Sequence, residues 1–207
     1  MKICEMFRSI QGEGVMIGTV THFIRSAGCN LSCSWCDTAY SRTGGEEMSV
    51  EEITDRVKDD KNICVTGGEP MLQDDAYDLL NALISEGKKI VLETNGSVDI
   101  SKVPAHRNLI ISMDIKCPSS GMSDSMLISN LSYLKGTDQL KFIIADGSDL
   151  EYAASFIEAH DIGCSIIFSP LGGMDIEPLA EEVMERGLDV RVLPQLHKMI
   201  WGNKRGV

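Results

Sequence analysis

Three cysteines crowd into eight residues, Cys29-Asn30-Leu31-Ser32-Cys33-Ser34-Trp35-Cys36, with the spacing C-x3-C-x2-C. Thiolates are soft ligands suited to iron–sulfur clusters and zinc. Three of them on one tight loop can each hold one iron of a cubane, which leaves the fourth iron without a protein ligand, unlike the four-cysteine ferredoxin arrangement. An open iron can take the amino and carboxylate groups of a bound cofactor. Zinc is the competing reading; it wants a fourth ligand, and His22 or Asp37 would supply it only at poor spacing. The other cysteines, Cys4, Cys64, Cys117 and Cys164, are scattered and read as small buried hydrophobes. An odd total of seven, with no basic and apolar leader, argues against a disulfide framework and for a reduced, cytoplasmic setting.

A second polar piece is Gly67-Gly68-Glu69-Pro70. Glycines let a backbone approach a ligand closely, and a carboxylate there can accept from an ammonium group. Glu93-Thr94-Asn95-Gly96, Asp114-Ile115-Lys116 and Ser169-Pro170-Leu171-Gly172-Gly173 are similar polar or glycine-rich pieces. Each stands at the end of a short apolar run.

Those runs are the elements that must position the chemistry. They are Val20–Ile24, Ile63–Thr66, Ile90–Thr94, Leu109–Ile115, Leu140–Ile144, Ser165–Ser169 and Asp189–Leu193, apolar and β-branched as strands covered on both faces should be. Helices fit between most of them. Ser49-Val50-Glu51-Glu52 is a capping box opening a helix to about Asp59. Asp74–Glu86 carries Leu79, Leu80, Leu83 and Ile84 on one face and is closed by Gly87. Ser148-Asp149-Leu150-Glu151 reads as a second box, with Gly163 ending that helix, and Asp175–Arg186 is stopped by Gly187. This alternation predicts an α/β fold, an incomplete, open parallel (β/α) barrel of about six strands, since a closed eight-unit barrel needs about 250 residues. Residues 1–207 are expected to form one domain. Parallel barrels carry their chemistry at the C-terminal strand ends, where the polar pieces fall.

Thirty-one acids against 19 lysines and arginines give a net charge of −12. No broad positive field exists to collect phosphates, so neither a general nucleic-acid binder nor an anionic-membrane binder is expected. No apolar run reaches the roughly 18 residues of a membrane span.

The cysteine triad resembles the signature of the radical S-adenosylmethionine superfamily, and Gly67–Pro70 looks like that superfamily's second motif, which holds the cofactor's methionine ammonium. In such enzymes the reduced [4Fe-4S] cluster cleaves S-adenosylmethionine to methionine and a 5′-deoxyadenosyl radical. Further pieces resemble the 7-carboxy-7-deazaguanine synthase family: Ser9-Ile10-Gln11-Gly12-Glu13-Gly14, Phe23-Ile24-Arg25-Ser26-Ala27-Gly28-Cys29, Cys36-Asp37-Thr38, Cys117-Pro118-Ser119-Ser120-Gly121-Met122 and Gln195-Leu196-His197-Lys198-Met199-Ile200-Trp201-Gly202. They occur in the family's order and span essentially the whole chain.

The resemblance implies a radical lyase that contracts 6-carboxy-5,6,7,8-tetrahydropterin to 7-carboxy-7-deazaguanine and ammonia, in 7-deazapurine (queuosine or archaeosine) biosynthesis, and regenerates its cofactor. It implies a [4Fe-4S] cluster on Cys29, Cys33 and Cys36, with S-adenosylmethionine near Trp35, Asp37, Gly68, Asp114, Ile115 and Lys116. Substrate would be met by Ile10, Gln11, Gly12, Glu13, Arg25, Thr66, His197 and the carboxylate of Val207, and Mg²⁺ by the Thr38 hydroxyl, a hard oxygen ligand. Asp114-Ile115-Lys116 stands where many members have Ser-Pro-Lys. An electron donor such as flavodoxin or ferredoxin and a homodimer are also implied.

Each assignment has a plainer alternative. Gln11–Gly14 would serve as an ordinary turn, Arg25 as a solvated arginine, Thr38 as a helix cap, Thr66 as a strand-end group, Asp114 and Lys116 as an ion pair, and His197 as a structural histidine. His22, His106 and His160 match no motif and read as structural. Two other functions compete: a glycyl-radical-enzyme activase, which carries the same cysteine loop but acts on a protein partner, and a zinc-binding interaction module.

Overall fold

A computed structural model describes all 207 residues. One nine-stranded sheet organises the chain. Its strands are β1 (Lys2–Ile10), β2 (Val20–Ser26), β3 (Glu46–Glu47), β4 (Asn62–Gly67), β5 (Lys89–Thr94), β6 (Leu109–Ile115), β7 (Gln139–Ile144), β8 (Ser165–Pro170) and β9 (Arg191–Val192). They lie in the order β3-β1-β2-β4-β5-β6-β7-β8-β9, and the two end strands do not pair, so the sheet is open. From β2 onward every neighbouring pair is parallel. β1 pairs antiparallel with β2 and β3 and extends the sheet beyond the run of βα units.

The helices are α1 (Val50–Arg56), α2 (Ala76–Ser85), α3 (Gly147–Ala159), α4 (Glu177–Arg186) and α5 (Leu196–Trp201). The Ser49 capping box forms as read: Ser49 N donates to Glu52 Oε2 at 2.7 Å and Glu52 N to Ser49 Oγ at 3.1 Å. The second box does not form. Asp146 caps α3 instead, accepting from the amides of Ser148 and Asp149, and that helix ends at Ala159, short of Gly163. Connections from β5 to β6 and from β6 to β7 carry no α-helix, only 3₁₀ turns in the second. No helix is long and apolar enough to cross a membrane.

Alternation along the strands divides the molecule into two layers. Ile63 and Val65, Ile90 and Leu92, Ile111 and Met113, and Leu140 and Phe142 join Ile53, Leu79, Leu80, Leu83 and Leu150 of the helices in one core of 30 buried side chains. The intervening residues, Cys64, Thr66, Glu93, Asp114 and Lys141, face the opposite way and line a cleft. That same period places Ile115 in the core with the helices. Asp114 and Lys116 line the cleft on either side of it, so only the backbone of Ile115, not its side chain, is placed to meet a cofactor.

Candidate functional site

The concave face of the sheet encloses a cleft of about 640 Å³. Apart from Glu69 and Ile115, the residues singled out in the sequence for cluster, cofactor, substrate or Mg²⁺ border it.

One end is built by the cysteine loop. Cys29, Cys33 and Cys36 are free and half-buried. The loop turns tightly, Cys36 N donating to Cys33 O at 3.3 Å. It is docked on the segment after β6: Ser34 N donates to Ser120 O at 3.0 Å, and Trp35 Nε1 to Ser119 Oγ at 3.0 Å. Ser119 is held in turn by the buried Asp149 of α3. The Cys117–Met122 motif thus buttresses the triad. Leu31 N and Asn95 Nδ2 approach Cys29 Sγ at 3.4 and 3.8 Å, and such donors tune a cluster's sulfurs. Burial pushes the Cys33 thiol up, against the pull of the Lys116 ammonium.

Gly68 lies against this loop. A Cβ added there would stand 2.1 Å from Gly28 O and 2.9 Å from Cys29 Cβ, so only glycine permits the approach. Glu69 departs from expectation. It is fully buried, does not border the cleft, and both carboxylate oxygens are occupied: Met71 N and Thr94 Oγ1 donate to Oε1, and Asn95 N donates to Oε2 at 2.6 Å. Burial pushes its pKa up to about 7 despite those donors. Glu69 clips the Gly67–Pro70 turn to the end of β5.

Asp114 and Lys116 do form the ion pair allowed for, Oδ2 to Nζ at 2.6 Å, and they form it inside the cleft. Asp114 Oδ1 is buried without a hydrogen bond, and the Lys141 ammonium stands 3.4 Å from it. Lys116 Nζ stands 5.9 Å over the Trp35 ring. Asp37 is paired with Lys198 at 3.3 Å. A cluster and a nucleoside cofactor fit this end: three thiols, a glycine cradle and the charged pair Asp114 and Lys116.

The other end is polar and charged. Gln11 is buried, its Oε1 accepting from Gly12 N and its Nε2 meeting Cys64 Sγ at 3.8 Å. Glu13 meets Lys141 Nζ at 2.9 Å and accepts from Gln195 Nε2 at 2.7 Å. Burial works to raise its carboxyl, but the Lys141 ammonium prevails and holds it down to about 2. Lys141 also reaches Glu93 at 2.7 Å and Asp114 at 3.4 Å. Gly12 packs under His197, where a Cβ would meet Nδ1 at 2.1 Å. The His197 ring makes no hydrogen bond to the protein, and burial lowers its pKa against the pull of Glu13 and Asp37. Arg25 borders the cleft and donates through Nε to Glu5 at 2.8 Å, and its terminal nitrogens make no hydrogen bond to the protein. Thr38 stands at the N-cap of a short 3₁₀ turn, yet its hydroxyl makes no capping bond and lies 3.8 Å from Cys36 Sγ. Ile10, Thr66 and Val207 complete the border.

The unmatched histidines make local contacts: His22 pairs with Asp60, His106 accepts from Asn108 N at Nδ1, and His160 stacks on Phe156. Sequence reasoning missed Glu5, Lys141 and the side-chain role of Gln195. Lys141 carried a signal, a charge inside a run otherwise read as apolar on both faces.

An open parallel sheet with a three-cysteine loop at its C-terminal rim defines a class, and the sequence profile described as the Radical SAM superfamily matches residues 23–119. The structure of QueE from Escherichia coli superposes with a TM-score of 0.75 over 92% of each chain at 23% identity. Streptococcus suis SuiB bound to S-adenosylmethionine superposes with a TM-score of 0.59, over 81% of this chain and 48% of that one, at 13% identity. These two likenesses are of fold.

At the sequence level the match is narrower. The 7-carboxy-7-deazaguanine synthase of Thermoplasma acidophilum is 41% identical over 209 residues, covering 100% of both chains. That of Methanospirillum hungatei is 45% identical over 97% of this chain and 85% of its own. The chain belongs to the 7-carboxy-7-deazaguanine synthase family. With that membership come a [4Fe-4S] cluster and S-adenosylmethionine as cofactors.

Proposed function

We propose that this protein converts 6-carboxy-5,6,7,8-tetrahydropterin to 7-carboxy-7-deazaguanine and ammonia. The observation that carries the reading is one cleft in which a three-thiol loop faces a wall of directional polar groups, Gln11, Glu13, Arg25 and His197. When bound, the cluster and S-adenosylmethionine supply a 5′-deoxyadenosyl radical; the protein's part is to position and enclose.

Cys29, Cys33 and Cys36 hold the cluster. Gly68 lets the backbone approach the cofactor's methionine end, Trp35 packs beside its adenine, and Asp114, Lys116 and Asp37 meet its polar groups. Arg25 takes the substrate carboxylate through its terminal nitrogens, a bidentate match that lysine would not give. Gln11, Gly12 and Glu13 read the pterin's donors and acceptors. Thr66 and His197 border the bound substrate, with Ile10 and Val207 closing around it. The Thr38 hydroxyl, unused as a cap, lends an oxygen to Mg²⁺, which keeps several waters and asks few protein ligands. The whole chain acts as one domain and is reduced by a flavodoxin- or ferredoxin-like donor in the cytoplasm. A homodimer fits the family.

The activase alternative needs an open face for a protein partner, whereas this cleft is lined by groups suited to a small polar ring. Anaerobic incubation of reconstituted protein with the carboxytetrahydropterin, S-adenosylmethionine, Mg²⁺ and reductant should yield a deazaguanine chromophore. Its absence from protein with a full cluster would remove the reading.

A further inference from the structure

Lys141 sits in mid-β7 between Leu140 and Phe142, which face the helices, and its own side chain, only 6% exposed, turns into the cleft wall. Its ammonium has three carboxylates around it: Glu93 Oε2 at 2.7 Å, Glu13 Oε2 at 2.9 Å and Asp114 Oδ1 at 3.4 Å. They come from β5, from the loop after β1, and from β6. Two of them are braced from behind, Glu13 by Gln195 and Asp114 by Lys116. Glu93 uses one oxygen in the ion pair, and its other oxygen makes no hydrogen bond to the protein although the residue borders the cleft.

Three carboxylates this close repel one another, and burial drives such groups to protonate unless a cation holds them. Protonated, they would offer a donor where a ring edge bearing N–H groups needs an acceptor. Counting Lys116, the wall holds two cations against three anions, so it suits a ligand edge rich in donors. The 2-amino and N3–H edge of a pterin is such an edge, and a carboxylate takes two parallel N–H groups as a fork.

We propose that Lys141 is a positioning residue: it keeps Glu13 and Glu93 ionised and aimed at the donor edge of the pterin, and through Asp114 it ties that edge to the cofactor half of the cleft. The inference rests on the pterin reading above. Other charged or titratable groups border the same cluster: Arg25 from β2, the Cys64 thiol from β4, Lys116 after β6 and His197 of α5. A test must therefore cancel their titration.

Calorimetric binding of 6-carboxy-5,6,7,8-tetrahydropterin to cluster-loaded protein with S-adenosylmethionine, but without reductant, supplies such a test because nothing turns over. The readout is the ratio of variant to wild-type affinity at pH 6 and at pH 8. Lys141→Met should bind on the order of tenfold more weakly at pH 8 and lose a further several-fold at pH 6, as the freed carboxylates protonate. Lys141→Arg keeps the charge and displaces it; its affinity should fall less, with a ratio that does not change with pH. If Lys141→Met does not hold its fold, Lys141→Met/Glu93→Gln removes an anion with the cation and reads the pH dependence left to Glu13. A folded Lys141→Met protein, or that double variant, with wild-type affinity or a pH-independent ratio would overturn the role of Lys141 alone. Wild-type protein that binds no pterin would contradict the reading of the cleft and this role with it.

Discussion

The Arg25 guanidinium and the Glu5 carboxylate pair at 2.8 Å with side chains 14% and 15% exposed, and the same carboxylate holds the C-terminal segment. Tyr40 Oη donates to Glu5 Oε1 at 2.8 Å, Arg205 Nε donates to Oε2 at 3.1 Å, and the Arg205 guanidinium stacks 3.7 Å above the Tyr40 ring. One carboxylate therefore sets both the aim of Arg25 and the seat of the segment that ends in Val207.

Glu5→Gln should loosen that anchor. The KM for the carboxytetrahydropterin is expected to rise about tenfold, with a smaller change in kcat, because uniform binding is what an aimed carboxylate clamp supplies. Cluster iron should stay at the wild-type level, since none of these residues touches the triad. Steady-state kinetics with iron analysis checks this, and an unchanged KM would contradict the anchoring role.

The buttress under the cysteine loop is graded by hydrogen bonding. Asp149 is fully buried and accepts from Ser119 N, Ser119 Oγ and Ala145 N. Asp149→Ala leaves buried donors unpaired and should destabilise the apoprotein by about 2–4 kcal/mol. Ser119→Ala removes one side-chain link to Trp35 and should cost about 1 kcal/mol. Thermal melts of the two apoproteins would contradict the buttress if Ser119→Ala proved the more damaging.

Gly12 and Gly163 give a matched pair. A Cβ at Gly12 meets the His197 ring at 2.1 Å, whereas one at Gly163 meets nothing within 4 Å. Gly12→Ala should displace His197 and raise the substrate KM on the order of tenfold or more, as small errors of position do. Gly163→Ala should leave KM and melting temperature near wild type. Equal kinetics for the two variants would separate His197 from substrate.

Thr38→Ala should keep the cluster and bound S-adenosylmethionine, which depend on other groups, and lose turnover together with its response to added Mg²⁺. Thr38→Ser keeps the oxygen and should retain more activity. Since the Thr38 hydroxyl makes no capping bond, little stability should be lost. A wild-type Mg²⁺ response in Thr38→Ala would end the metal assignment.

Legibility in the sequence followed physical signal. The parallel strands stood out because two-sided cover makes them near-continuous apolar runs. β1, Lys-Ile-Cys-Glu-Met-Phe-Arg-Ser-Ile, did not, because polar residues interrupt its apolar run, and one of them, Glu5, is largely buried against Arg25. The triad and the Gln11–Gly14 loop are local in sequence and were readable. Reading Asp114–Lys116 as a block hid that strand alternation turns the Ile115 side chain to the other face. The structural partners of Glu69 were not readable, because only the fold brings Thr94 and Asn95 up to it. Lys141 was marked only as a charge inside an apolar run; its pairing with Glu93 and Glu13, 48 and 128 residues away, had no local signature.

The most direct test of the central claim is to count product against cofactor in one anaerobic incubation of cluster-loaded protein with carboxytetrahydropterin, S-adenosylmethionine, Mg²⁺ and reductant, beside Cys33→Ala. The account predicts many molecules of 7-carboxy-7-deazaguanine, detected by its ultraviolet absorption and mass, for each S-adenosylmethionine lost, and none from Cys33→Ala. No deazaguanine from wild-type protein carrying a full cluster, or S-adenosylmethionine consumed one for one with product, would contradict it.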